Sequence, residues 1–132
     1  MFDLLWVKGR DMKAAEGALR KLKDRAVAAV RKFLFAEALE ILARAKQLCP
    51  VDTGALRASG YVETPRRAGQ RIAVLMGFGG PAAPYAYKVH EDLVARHAVG
   101  EAKFLEKAAV ERLAGLHDRM VAFLEAELGR AA

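Results

Sequence analysis

Apolar residues recur at steps of three and four through the first third of the chain: Val27, Val30, Leu34, Ala38, Ile41, Ala45 and Leu48. That spacing places them on one face of a helix, so the segment needs a core or a partner to cover it. From Asp11 to Leu48 the sequence is rich in Ala, Leu, Lys, Arg and Glu and holds no proline. Asp11 predicts the start, because its carboxylate can accept the amide hydrogens left unpaired in a first turn. Gly17 and Asp24 weaken the front section, so a short helix over 11–22 followed by a long one over 24–48 and a single continuous rod are both consistent with the pattern. Pro50 sets the end, since proline donates no amide hydrogen and disfavours helical geometry in the residue before it.

Elsewhere the period is shorter. Met1–Val7 mixes aromatic and aliphatic residues and stops at Gly9, which predicts a short strand. Val51-Asp52-Thr53-Gly54 predicts a compact turn, with Asp52 and Thr53 able to bond nearby backbone amides. Ala55–Thr64 and Arg71–Phe78 predict two strands of an antiparallel hairpin joined by the polar stretch 65–70. Ile72, Val74 and Met76 would share one face of the second strand and Ala73, Leu75 and Gly77 the other. Apolar residues on both faces predict a central or sandwiched strand. Gly77 to Pro84 is a loop by its glycines and prolines. Tyr85–Val94 fits a short helix or a strand, and 97–101 is irregular. A closing helix is predicted over Glu101–Leu128, with Phe104, Leu105, Ala108, Leu113, Leu116, Met120, Phe123, Leu124 and Leu128 on its apolar side. The order of elements predicts an α+β fold: a long N-terminal helical region and a C-terminal helix packed on a small, mainly antiparallel sheet.

Composition narrows the class. At 132 residues, 54% hydrophobic and 29% charged, residues 1–132 fit a single domain and exclude a two-lobed enzyme. No apolar run approaches the roughly 20 residues that cross a bilayer, which predicts no membrane partner. The first apolar run lacks the basic flank and length of a secretory leader, so an intracellular product, or one released by lysis, is expected. The net charge of +6 invites a nucleic-acid reading. Its distribution changes that reading: residues 1–48 carry +5, residues 49–80 carry +2 and residues 81–132 carry −1. An asymmetric surface suits assembly as well as it suits phosphate binding.

A search for chemistry mostly excludes it. Gly77-Phe78-Gly79-Gly80 lacks the Lys-Ser/Thr pair of a phosphate-binding loop. His90 and His97, with Glu91 and Asp92 beside the first, match no metal-ligand spacing. Cys49 lies in the closing turn of a helix before a proline, where a small buried hydrophobe is the ordinary role. Ser59 has no nucleophile-elbow context. No catalytic, cofactor or metal residue is expected. Arg66, Arg67 and Arg71 bracket the hairpin connection and could contact phosphates without reading sequence.

One stretch carries more than periodicity. Ala45-Lys46-Gln47-Leu48-Cys49-Pro50-Val51-Asp52-Thr53-Gly54-Ala55-Leu56-Arg57-Ala58-Ser59 resembles the signature of a family of small tailed-phage morphogenesis proteins, the gene-product-ten-like head-tail connector or tail-completion proteins. Further matches follow in the family's order: Ile72 to Gly77, Tyr85-Ala86-Tyr87-Lys88-Val89-His90-Glu91, and Lys103-Phe104-Leu105-Glu106-Lys107-Ala108. Glu91 is followed by Asp92-Leu93 where many members have Gly-Thr. Asp52-Thr53-Gly54 also occurs in aspartic proteases, but one copy on a short chain lacks the second carboxylate of a dyad.

The resemblance implies a virion structural protein at the head-tail interface (neck, connector or tail terminator), found in the virion and, during assembly, in the host cytoplasm. It implies a ring of six or twelve copies contacting portal or adaptor and tail proteins, with DNA passing through the lumen. Pro50, Asp52, Thr53, Gly54 and Leu56 would form its structural turn. Tyr85, Tyr87, Glu91 and Phe104 would meet neighbours, and Arg66, Arg67 and Arg71 would face DNA or capsid. The alternative is a small basic nucleic-acid-binding or ribonuclease-toxin-like protein.

Overall fold

The computed structural model describes residues 9–50, 54–79 and 103–129. Over these the fold is α+β. Helix α1 (Gly9–Leu48) is one continuous rod of 40 residues, about 60 Å long, so Gly17 and Asp24 do not interrupt it. A helical turn, α2 (Ala55–Ala58), follows. Four short strands come next: β1 (Tyr61–Val62), β2 (Arg66–Ala68), β3 (Arg71–Ala73) and β4 (Met76–Gly77). Two helices, α3 (Phe104–Leu113) and α4 (Leu116–Gly129), close the chain. The expected strand over 1–7 and the segment 85–94 lie outside the described residues.

Three expectations are corrected. Ala55–Ala58 is helical rather than extended, and the hairpin arms are interrupted. β1 pairs antiparallel with β4, matching Tyr61 to Gly77, while β2 pairs with β3, matching Arg67 to Ile72. Between these ladders three residues, Glu63 to Pro65, face two, Val74 and Leu75. The extra residue is a bulge, placed where Pro65 has no amide hydrogen to give a ladder. The Glu63 amide still donates to the Leu75 carbonyl at 2.8 Å. Among the described residues the ribbon is also not sandwiched: each ladder has two strands and Leu75 is 59% exposed. Apolar content on both faces of a strand does not distinguish a covered strand from a narrow ribbon that lies on a helix by one face.

The closing helix is two helices rather than one. It begins at Phe104, after Lys103 in the left-handed region (φ 56), and breaks at Ala114 and Gly115, the latter at φ 74. That conformation suits glycine, and it ends α3 so that α4 can start on a new axis.

Both closing helices run antiparallel to α1. Glu111 bonds Arg44, Arg112 and Arg119 bond Glu37, Phe123 meets Phe33, and the Leu128 carbonyl meets Arg25. Chain numbers rise on one side as they fall on the other. The main core lies at the lower end of this array, where Ala45, Cys49, Leu56, Phe104 and Ala108 are buried, with Ile41, Leu48, Phe78 and Leu105 around them. Phe78 and Phe104 meet edge to face at 5.0 Å between ring centroids, a favourable aromatic geometry.

Within α1 the fully buried positions are Ala29, Phe33, Glu37, Ala38, Leu42 and Ala45. Of the expected stripe, Ala38 and Ala45 reach that depth, whereas Val27, Val30, Leu34, Ile41 and Leu48 are half-buried. α1 is covered on two sides, by α3 and α4 on one and by the hairpin on the other, so its buried face turns along its length. The hairpin approach is close: a Cβ at Gly60 would lie 2.9 Å from Leu42 Cδ1, Lys46 Cε and Phe78 Cε1.

Candidate functional site

The signature around Pro50 forms a joint between α1 and the hairpin. Pro50 is buried, and Cys49 is fully buried with its thiol directed at the Pro50 carbonyl, 3.4 Å away. Burial pushes the Cys49 thiol above its ordinary pKa, against the opposing pull of the Arg57 charge. A neutral, enclosed thiol is a packing group and a poor nucleophile. Gly54 adopts φ 82 and leads into α2, whose Leu56 enters the core at 4% exposure. Ser59 closes the joint: its hydroxyl donates to the Leu56 carbonyl at 2.6 Å and accepts from the Gly79 amide at 3.0 Å. That tie between α2 and the end of the hairpin gives Ser59 a structural role that spacing did not suggest. Asp52 and Thr53 lie outside the described residues. Arg57, from the same signature, has a buried Nε that no acceptor reaches among the described residues.

The arginine group divides. In the β2–β3 ladder Arg66 faces Ala73 and Ala68 faces Arg71, so Arg66 and Arg71 share one face, while Arg67 shares the other with Ile72. All three are exposed. Arg66 reaches Glu63 at 3.3 Å, and Arg67 Nε donates to the Gly69 carbonyl at 3.0 Å. An exposed pair of that kind contributes little to stability and leaves Arg66 available to other anions.

Phe104, expected at a contact between subunits, is 1% exposed and belongs to the chain's own core. Its position in the signature opening the closing helix reflects packing, because its ring fills the space between α1 and Phe78. Tyr85, Tyr87 and Glu91 lie outside the described residues.

Sequence reading missed the strongest polar cluster. Glu37 is 7% exposed on α1, on the face covered by α3 and α4. Arg112 donates to it through Nε at 2.7 Å and Nη2 at 3.1 Å; Arg119 donates through Nη2 at 3.0 Å and Nε at 3.2 Å. Arg119 also donates to the carbonyls of Arg112 (2.6 Å) and Ala114 (2.9 Å), which lie at the broken end of α3. One carboxylate thereby holds both closing helices to α1, and one guanidinium satisfies carbonyls that the helix break exposes. Burial alone would raise the Glu37 pKa, but the hydrogen bonds and charges of Arg112 and Arg119 outweigh it, and the net shift is downward. The signal available in sequence was a glutamate falling within an apolar period, three and four residues from Leu34, Phe33 and Ile41.

Arg44 and Glu111 form a second, exposed bridge, at 2.8 Å and 3.3 Å. Beside it, Glu40, Arg44, Ala108, Glu111 and Arg112 line an open hollow of about 290 Å³. Of its charged groups, Arg44 and Glu111 bond each other and Arg112 bonds Glu37, as a surface brace would have them. Among the described residues, no helix is long and apolar enough to cross a membrane.

Comparison with protein-family models, with curated proteins and with solved structures finds no match.

Proposed function

We propose that this chain is a structural protein of a tailed-phage head-tail interface, acting as a neck, connector or tail-terminator subunit in a ring of six or twelve copies. The observation that carries the reading is the ordered set of sequence segments resembling that family, running from Ala45–Ser59 to Lys103–Ala108. Its support from folding is that Leu56 of the first segment and Phe104 and Ala108 of the last meet in one core. Segments separated by some fifty residues thus describe a single packed unit. The buried, pKa-raised Cys49, the bonding of Glu37 to Arg112 and Arg119 and that of Arg44 to Glu111 suit a scaffold better than a reaction site.

In this reading the subunit joins portal or adaptor to tail, in the virion and beforehand in the host cytoplasm. DNA passes the lumen in passive contact with the Arg66–Arg71 face of the hairpin, and no catalytic step or cofactor is involved. The test is to incubate the chain with portal and tail proteins encoded beside it and to look for closed rings by negative-stain electron microscopy. A strictly monomeric mass at high concentration with those partners present would sink the proposal.

The exposed face that Arg66 shares with Arg71 favours one second reading, a small basic nucleic-acid-binding protein. That reading requires affinity for DNA or RNA that falls steeply with salt. Absence of binding at low ionic strength removes it.

A further inference from the structure

Among the described residues, the amino-terminal part of α1 extends past the elements packed on it. α4 ends at Gly129, and its last turn is fixed by Arg25 Nη2, which donates to the Leu128 carbonyl at 2.7 Å. Gly9 to Asp24 therefore continue as about 24 Å of helix beyond that contact. This overhang is amphipathic. Met12, Ala15, Leu19, Leu22, Ala26, Ala29 and Phe33 follow each other at alternating steps of three and four, the heptad spacing of a two-helix seam. The lower end of the seam is covered: Ala29 is 5% and Phe33 4% exposed, with Phe33 against Phe123 of α4 at 5.6 Å. The upper end is open: Met12 is 47%, Leu19 65% and Leu22 46% exposed.

We propose that the overhang is a self-association face, on which the overhang of a second copy lies antiparallel. Three observations choose this occupant. First, the seam continues an antiparallel helix-on-helix interface that the chain already makes with α4, so the same side-chain period accepts another antiparallel helix. Second, charge is uneven along the overhang. Arg10 and Lys13 balance Asp11 and Glu16 in its first half, whereas Arg20, Lys21 and Lys23 outnumber Asp24 in its second. Two antiparallel copies set each basic half against a neutral one, whereas two parallel copies would stack the two basic halves together. Third, the length fits. With residue 17 at the two-fold axis, Met12 meets the partner's Leu22 and Ala15 meets the partner's Leu19. Each overhang then spans the other fully and stops level with the partner's Arg25, where the partner's α4 ends. The contact is isologous, and it does not depend on the ring reading.

The intact chain should sediment as a concentration-dependent dimer, about twice 14.4 kDa, as loading rises from about 1 µM to about 1 mM, the span over which a modest interface titrates. The double variant Leu19→Glu/Leu22→Glu should remain monomeric with unchanged helical circular dichroism, since neither side chain supports the core. Orientation is read from disulfides: Met12→Cys protein mixed with Leu22→Cys protein should cross-link, and Leu22→Cys protein alone should not. Wild-type chain that stays monomeric to 1 mM overturns the proposal, even where the open seam becomes protected on adding a different protein. So does cross-linking of Leu22→Cys alone, or dimerisation that survives the double variant. Rings assembled normally by the double variant would end this inference and leave the proposed function standing.

Discussion

One helix contains two regimes. From Arg25 to Leu48, α1 packs against α3, α4 and the hairpin; from Asp11 to Asp24 the same rod, with the same apolar period, stands uncovered among the described residues. The difference does not come from helix propensity, since both halves are built of Ala, Leu, Lys, Arg and Glu. It comes from what the rest of the chain supplies. The closing helices run up α1 only as far as Arg25, so the lower half gains a core and a buried ion cluster while the upper half keeps an apolar seam in water. Most helical stability in proteins derives from packing of this kind rather than from intrinsic preference. Substitutions should therefore divide sharply at Arg25.

The largest effect is expected at the base of the enclosed half. Phe104→Ala removes a ring that is 1% exposed and stacked edge to face on Phe78, and should destabilise the fold by about 3–5 kcal/mol in urea titrations. A loss under about 1 kcal/mol would mean that Phe104 is accessible after all, as the sequence had suggested. Next comes Glu37→Gln, which leaves two guanidiniums facing a neutral amide. Removing one partner of a buried ion cluster costs about 3–5 kcal/mol where the pairing is fully enclosed. Here the arginines are about a third exposed, so about 2–4 kcal/mol is expected. The pH dependence separates this from simple loss of packing. Because the folded-state pKa of Glu37 is depressed, its contribution is fully present above the ordinary glutamate value of 4.5 and is lost as pH falls through the lower folded-state value. The gap between wild type and Glu37→Gln should therefore be wide near neutral pH and narrow in acid. A gap independent of pH would remove the charge-based account.

How much of this division could be seen in the sequence varies by element. The long helix, its end at Pro50 and the α+β order followed from period and proline, because both act locally. The break at Gly115 was masked by apolar residues on either side that continue the helical period, and its stabilising partner, Arg119, acts through carbonyls that no sequence pattern marks. The hairpin arms were placed, but the bulge at Glu63–Pro65 depends on pairing across the ribbon. Glu37 was passed over because a charged residue in an apolar stripe becomes meaningful only when two arginines about 75 and 82 positions away are brought to it. For the candidate site, the end of α1 before Pro50 was legible, whereas the helical turn at Ala55–Ala58, the fate of Phe104 and the separation of Arg67 from Arg66 and Arg71 required the fold.

Gly60 tests the same comparison from the hairpin side. A methyl group there would meet Leu42, Lys46 and Phe78 at 2.9 Å, so Gly60→Ala should cost about 1–3 kcal/mol by overpacking. The Lys46 contact is the end of a flexible side chain and can yield; Leu42 is a buried core residue, and the cost turns on it. A neutral or stabilising result would show that the hairpin rides loosely on α1. Hydrogen exchange would then be faster at the Tyr61–Gly77 pairing than in the lower half of α1.

The smallest effect is expected in the overhang, and it sharpens the comparison most. Leu19 is the most exposed large apolar side chain among the described residues, at 65%, while Leu42 sits at 8% on the same rod. Leu19→Ala, measured by denaturation at a concentration where the chain is monomeric, should shift stability by no more than about 0.5 kcal/mol, as for a surface site without partners. Alanine is also the better helix former, so the residual sign can be favourable. Leu42→Ala should cost about 2–5 kcal/mol through lost burial and the cavity left behind. The two substitutions share residue type and helix and differ only in what covers them, so their ratio measures packing with propensity held nearly constant. If Leu19→Ala proved as costly as Leu42→Ala in the monomer, the overhang would be covered within the chain and the open seam would not exist. If its cost grew with protein concentration instead, the excess would be the free energy that a second copy contributes to the same face.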